Sequence, residues 1–145
     1  MDTFIILTVA GTTYALRSQD VQHMEMVENV TRVPNAAPFV DGVVFSRGQV
    51  VPAVNLRARF GFDRHAYDVR TRLIVVNTGG RTVGLIVDDA REFLRLPASA
   101  ICPPQESLAG LSSQYVEGIA SINGRLILVL KLGNLLNFSE PLVAA

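Results

Sequence analysis

The chain has one cysteine, no tryptophan, two histidines and no net charge, and each shortage removes a class of function. Cys102 alone leaves no intrachain disulfide and no sign of an oxidising compartment. Thirteen basic residues balance thirteen acidic ones over 145 residues. No basic excess is available to displace counterions from a phosphate backbone, which argues against a nucleic-acid binder. Without tryptophan, and with Phe and Tyr scattered, no aromatic platform for bases or sugars is visible. His23 and His65 have no metal-ligand spacing to Cys, Asp or Glu, so both read as solvent-exposed structural residues. No apolar run approaches the ~20 residues of a membrane-spanning helix. The run at residues 4–10 carries Asp2 ahead of it rather than a basic segment, which makes it a first strand and not a secretion signal. The chain reads as soluble and cytoplasmic.

What is present is apolar material in short pieces. Val, Ile and Leu cluster in segments punctuated by the turns AGTT, SRGQ, TGGR and INGR around Gly11, Gly48, Gly79–Gly80 and Gly124. That pattern predicts a mainly β chain of hairpins, with 49% apolar residues sufficient for a buried core. Asn123-Gly124 is the strongest turn signal, because a type I′ turn needs positive φ at both central residues. Pro52 places its strand at an edge or a bulge. Residues 56–60 and 132–136 each suit one or two helical turns, residues 20–27 suit a short helix or an irregular strand, and residues 98–115 read as a long surface connection.

The chain also repeats itself. GVVFSRGQVVPAVNLRARFG (residues 42–61) aligns with GIASINGRLILVLKLGNLLN (118–137) at a constant offset of 76, matching Gly42 with Gly118, Gly48 with Gly124, Val51 with Ile127, Val54 with Leu130 and Leu56 with Leu132. A weaker repeat at an offset of 69 matches Thr13 with Thr82, Ala15 with Gly84 and Leu16 with Leu85. Two copies of a small barrel-like unit follow, over residues 11–68 and 72–138 of a single domain spanning 1–145, with exchange of the N-terminal strand allowed.

No catalytic constellation emerges. Cys102 precedes two prolines with no base nearby and reads as an inert packed thiol. Asp88 and Asp89 are adjacent, so on a strand they face opposite ways and cannot pair as acid and base. NTGGR lacks a phosphate-loop pattern and is explained by a hairpin turn. No catalytic residue, metal ligand or cofactor is expected, and binding remains.

The second hairpin brings a family into view. VFSRGQVVPAVNLRARFG resembles the N-L-R-G-x-x-(I/V)-P-(I/V)-x-D-L-R segment of the CheW-like coupling proteins of bacterial chemosensory arrays. VQHMEMVENVTRVPNAAPFVDGVV (21–44), GRTVGLIVDDAREF (80–93) and YVEGIASINGRLILVLKLGNLL (115–136) resemble further family motifs in the same order, so the likeness covers residues 4–138.

The resemblance implies two intertwined five-stranded SH3-like β-barrels with short helices and no enzymatic activity. It implies a cytoplasmic adaptor at membrane-associated receptor arrays, without insertion into the membrane itself. Its partners would be the regulatory domain of a CheA-type histidine kinase and the cytoplasmic tip of a methyl-accepting chemoreceptor, with adaptor–adaptor ring contacts as a third. Arg47 looks like the arginine of the family's L-R-G turn, tied to kinase and receptor coupling; from residue type alone it is a solvated turn side chain. Val21, His23 and Gly42 match further coupling positions, and Val87, Asp88, Ala90 and Phe93 match positions lining or supporting the receptor-facing groove. By residue type the apolar ones equally suit ordinary core, and Asp88 a strand-end acceptor. Three departures stand out: His23 for the family glutamate, Phe45-Ser46 for N-L, and Asn55 for the aspartate of D-L-R. They suggest a specialised pathway with its own kinase, of flagellar, pilus or gliding output. A small ligand-binding β-barrel is the reading outside the family.

Overall fold

The computed structural model describes residues 1–103 and 114–136. The unpatterned connection therefore lies partly outside the described residues; its described ends are a 3-10 turn at Ala98–Ala100, a two-residue strand, and residues leading into the last hairpin.

Among the described residues eleven strands form two sheets. The first contains β1 (Asp2–Val9), β2 (Thr12–Arg17), β8 (Asp89–Leu96), β9 (Ile101–Cys102), β10 (Val116–Ile122) and β11 (Arg125–Leu130), in the order β8-β1-β2-β11-β10-β9. The second contains β3 (Val21–Met26), β4 (Val40–Ser46), β5 (Gln49–Asn55), β6 (Arg72–Thr78) and β7 (Arg81–Val87), in the order β3-β6-β7-β5-β4. Helical turns α1 (Leu56–Arg59) and α2 (Leu132–Leu135) follow β5 and β11. The fold is thus mainly β, two sheets with few short helices, as the sequence predicts. Residues 20–27 resolve as strand β3.

Both offsets survive as geometry. Residues related by 69 pair identically: Val21 opposes Val76 and His23 opposes Val75, while Ala90 opposes Leu7 and Glu92 opposes Ile6, each ladder bulging at the same step. Residues related by 76 also match, with Val40 and Gly42 opposing Val54 and Ala53, and Val116 and Gly118 opposing Leu130 and Val129. Gly42 and Gly118 share one reason. A β-carbon on Gly42 would lie 2.1 Å from the Thr31 carbonyl oxygen, and one on Gly118 would lie 2.4 Å from Ile101 Cγ2. Each glycine lets the segment that closes its sheet come in: Thr31 bridges Val43, and β9 pairs with β10.

The sheets do not divide the chain into residues 11–68 and 72–138. Hairpin β1–β2 joins the C-terminal hairpin through a parallel β2–β11 ladder, and β6–β7 joins β4–β5 through a parallel β7–β5 ladder. Each third strand then crosses over, β3 pairing with β6 and β8 with β1. The physical reason is that β1 and β6 are apolar on both faces. Phe4 and Ile6 fill the curl of the first sheet and Leu73 and Val75 that of the second. Ile5, Leu7 and Val9, with Ile74 and Val76, join a central core between the sheets. Such strands need cover on both sides, which neither half of the chain supplies alone.

Pro52 is not on an edge strand, since β5 lies between β7 and β4. It falls one residue before the β5–β7 ladder begins at Ala53, so β5 has a single neighbour there and the missing N–H costs no bond.

Candidate partner-binding surface

The tip of hairpin β4–β5 is the most distinctive surface. Alternation along β4 buries Val44 and Ser46 and turns Phe45 outward; its cross-strand partner Val50 is outward too. Phe45 is 73% and Val50 63% exposed, an apolar pair beside the turn. Arg47 and Gly48 form that turn with φ of 48° and 83°. Asn123 and Gly124, the counterparts at offset 76, have φ of 51° and 79°. Asparagine tolerates this left-handed region, whereas a long side chain is held there at a cost of about 1–2 kcal/mol. The Arg47 side chain is exposed and has no hydrogen bond or ion pair among the described residues. Arg125, beside the corresponding turn, is paired with Glu92 at 2.6 Å. The Arg47 turn therefore combines a strained backbone with an exposed guanidinium that has no partner among the described residues.

Behind the turn, Ser46 is 3% exposed and its hydroxyl donates to Glu25 Oε2 at 2.9 Å. His23 Nε2 lies 2.8 Å from Ser46 Oγ and 3.0 Å from the same Glu25 oxygen. A carboxylate only accepts, so the contact with Glu25 requires the proton on Nε2. The three groups form a closed ring. This is not a nucleophilic triad, because the serine proton goes to the carboxylate and one imidazole nitrogen faces both partners. Contrary to the sequence expectation, His23 is therefore not solvent-exposed; its side chain is 7% exposed. His65 is exposed. Cys102 is exposed on β9 rather than packed, because β9 is a two-residue strand at the sheet edge.

The residues assigned to a groove separate. Val87 and Ala90 are 1% and 3% exposed within the central core, and Val21 packs half-buried against it. Val87 and Ala90 support the junction of the sheets from within and present almost no surface, because the end of β7 and the start of β8 lie where the chain crosses between the sheets. Phe93 is 60% exposed on edge strand β8.

Asp88 closes the junction. It accepts the Ala10 N–H at 2.8 Å and receives Arg57 Nε and Nη2 at 2.8 and 2.7 Å. Burial pushes its carboxyl up, but the Arg57 and Ala10 hydrogen bonds and the guanidinium charge outweigh this and hold it below 3.8. Asp89, as its opposite facing requires, pairs instead with Arg91.

Asn55, where the family has aspartate, accepts the Ala58 N–H at the start of α1 and donates to Asp41 at 2.8 Å. Asp41 also receives Arg64 at 2.7 Å and the Tyr67 hydroxyl. An aspartate at 55 would set two carboxylates against each other. Burial raises the Asp41 carboxyl, and the hydrogen bonds from Tyr67, Asn55 and Arg64 bring it below 3.8. Asp41, Arg64 and Tyr67 line a cavity of about 740 Å³ between residues 28–41 and 64–67. Of its polar lining groups, Asp41 is already occupied by Asn55, Arg64 and Tyr67. Among the described residues no three His, Cys, Asp or Glu side chains could hold a metal ion, and no helix is long and apolar enough to cross a membrane.

Sequence reasoning missed Phe45 and Val50 as surface and the His23–Glu25–Ser46 ring. The strand alternation carried the first signal; the second was present only as two separate departures from one pattern.

Comparison with known proteins agrees with this geometry. The chain is similar to the chemotaxis protein CheW of Klebsiella aerogenes, 33% identical over 137 residues covering 94% of this chain and 82% of that protein. It is similar to FrzA of Myxococcus xanthus, 28% identical over 143 residues covering 98% and 86%. The crystal structure of the scaffolding protein TtCheW from Thermoanaerobacter tengcongensis matches with a TM-score of 0.85 and 27% identity, covering 95% of this chain and 89% of that one. A family model described as the CheW-like domain matches residues 3–140, and the chain belongs to that family.

Proposed function

We propose that this protein is a non-catalytic chemosensory adaptor that couples methyl-accepting chemoreceptors to a CheA-type histidine kinase in cytoplasmic arrays, with Arg47 at the centre of its coupling surface. The observation that carries the reading is Arg47, without a side-chain partner among the described residues and held at φ 48° on an exposed tip beside Phe45 and Val50. An apolar pair around a free guanidinium suits a partner that offers a carboxylate within an apolar rim. The planar fork makes lysine a poor substitute.

The test is co-sedimentation and kinase stimulation with the cognate receptor and kinase. Arg47→Ala should fold normally and lose more than about tenfold in assembly, as removal of a central charge-assisted contact does. Arg47→Lys should recover only part of the loss. Arg125→Ala, which breaks an exposed ion pair near the equivalent turn, should couple like wild type. Equal coupling by Arg47→Ala and wild type would reduce Arg47 to a solvated turn residue.

A second reading, an adaptor of a specialised non-flagellar pathway, is favoured by the paired departures at His23 and Ser46 and is compatible with the likeness to FrzA. Capture of one kinase in preference to others from the native cell would separate the two.

A further inference from the structure

The ring formed by His23, Glu25 and Ser46 spans a place where the second sheet has no backbone ladder. Strands β3 and β4 are its two opposite edges. The sheet curls until they meet, yet among the described residues the only backbone link there is the Thr31–Val43 bridge, beyond the end of β3. Side chains close the rest of the seam. His23 and Glu25 reach from one edge to Ser46 on the other, and Ser46 is the residue immediately before Arg47. The first sheet closes its seam differently. The counterparts at offsets 69 and 76 are Glu92, Leu94 and Ile122: the latter two pack on the apolar interior, and Glu92 is spent on an exposed pair with Arg125.

We infer that His23, through its hydrogen bonds to Ser46 and Glu25, is a positioning residue that fixes the direction in which the Arg47 turn is presented to the partner. The inference rests on the coupling role proposed for Arg47. His23 touches no partner, since its side chain is almost wholly buried. It acts by tying the strained turn to the far edge of the sheet. Two of the chain's departures from the family pattern thus form one element: an imidazole N–H at 23 needs an acceptor at 46, and a serine hydroxyl at 46 needs polar partners when buried. Changing His23 alone leaves Ser46 tied to β3 only through Glu25, and changing Ser46 alone removes both side-chain links across the seam. This makes the pair a built-in means of setting the Arg47 presentation of this adaptor apart from that of relatives with glutamate and leucine at those positions, and so of selecting its own kinase and receptor.

The experiment is a double-mutant cycle read by co-sedimentation with the cognate receptor and kinase, together with amide hydrogen exchange of the free protein. His23→Ala should weaken assembly about tenfold, and the same change in an Arg47→Ala background should add less than about twofold. His23→Gln, which keeps an N–H donor at the same reach, should restore assembly to within about twofold of wild type. Glu92→Ala, the counterpart in the other sheet, should leave it unchanged. Amide exchange at Ser46 and Gln49, the pair that closes the turn, should speed up in His23→Ala and not in Glu92→Ala. Wild-type assembly by His23→Ala would overturn the inference, and so would losses that simply add to that of Arg47→Ala. Should His23→Ala fail to fold, Ser46→Ala, which leaves His23 and Glu25 paired, carries the same cycle: wild-type assembly or simple additivity would again overturn the inference. If wild type itself binds neither partner, the coupling reading fails, whereas unchanged exchange at Ser46 and Gln49 in His23→Ala would overturn the positioning role alone.

Discussion

Apart from the short edge strand β9, the two sheets share strand order, bulge positions and turn geometry, and they differ where each one closes. The first closes on Leu94 and Ile122 against an apolar interior, with Glu92 and Arg125 paired outside. The second closes on a buried polar ring. The first turn residue differs in the same way, asparagine on one side and strained arginine on the other. An apolar seam tolerates small shifts, because dispersion and burial are non-directional. A hydrogen-bonded seam defines one geometry and is costly when broken. Duplicated scaffolds can thus carry one copy devoted to stability and another in which direction matters. Here the directional copy is the one that carries the strained, exposed arginine.

The largest test of this contrast lies in the core the two sheets share. Val87→Asp should unfold the protein, because Val87 is 1% exposed and an unpaired carboxylate there costs several kcal/mol. Phe93→Asp, at a 60% exposed position, should leave the fold intact. Circular dichroism separates the outcomes, and a folded Val87→Asp would show that the central core opens to solvent. Next in size are the two closing glycines. Gly42→Ala should cost roughly 3 kcal/mol, at the upper end of overpacking, because its β-carbon meets backbone at φ +152°. Gly118→Ala should cost less, since its closest contact is the Ile101 side chain. Denaturant midpoints that reverse this order would mean the closures are not equivalent.

A smaller effect belongs to the junction. Arg57→Ala should cost about 2 kcal/mol, the scale of a charge-assisted bidentate contact. Asp88 and Asp41 titrate below 3.8 when folded, so on acidification the unfolded chain takes up protons first. Their contribution is complete above about pH 5 and fades as pH falls below 4. Arg57→Ala should flatten that acid limb, and an unaltered limb in urea melts at pH 3 to 6 would remove Asp88 from it. Smallest are the turns. Gly124→Ala should cost about 1 kcal/mol at φ 79°. Arg47→Asn, which copies the second turn, should add up to about 1 kcal/mol of stability while coupling falls. A loss of stability in Arg47→Asn would mean the arginine is not strained.

Much of the local structure is readable along the chain. Alternating Val, Ile and Leu between glycine turns specifies strands and hairpins, since strand side chains alternate faces and type I′ turns need positive φ. The two offsets specify the internal symmetry down to the position of each bulge. Arg47 stands out because its counterpart differs. The groove residues were less legible. A valine at 87 or an alanine at 90 reads the same in a lined groove and in a core, and burial depends on what the rest of the chain lays over it.

By itself, then, the sequence determined the β class, the duplicated hairpins, their turns and the family, because each depends on near neighbours or on a pattern repeated at fixed spacing. Only the tertiary structure decided which hairpin joins which. Strands apolar on both faces pair with whatever covers both, and the parallel β2–β11 and β5–β7 ladders that result link residues far apart in the chain. The same fold brought His23, Glu25 and Ser46 together from two strands at opposite edges of one sheet. Nothing in their spacing could announce that contact, since it exists only because the sheet curls and its edges meet.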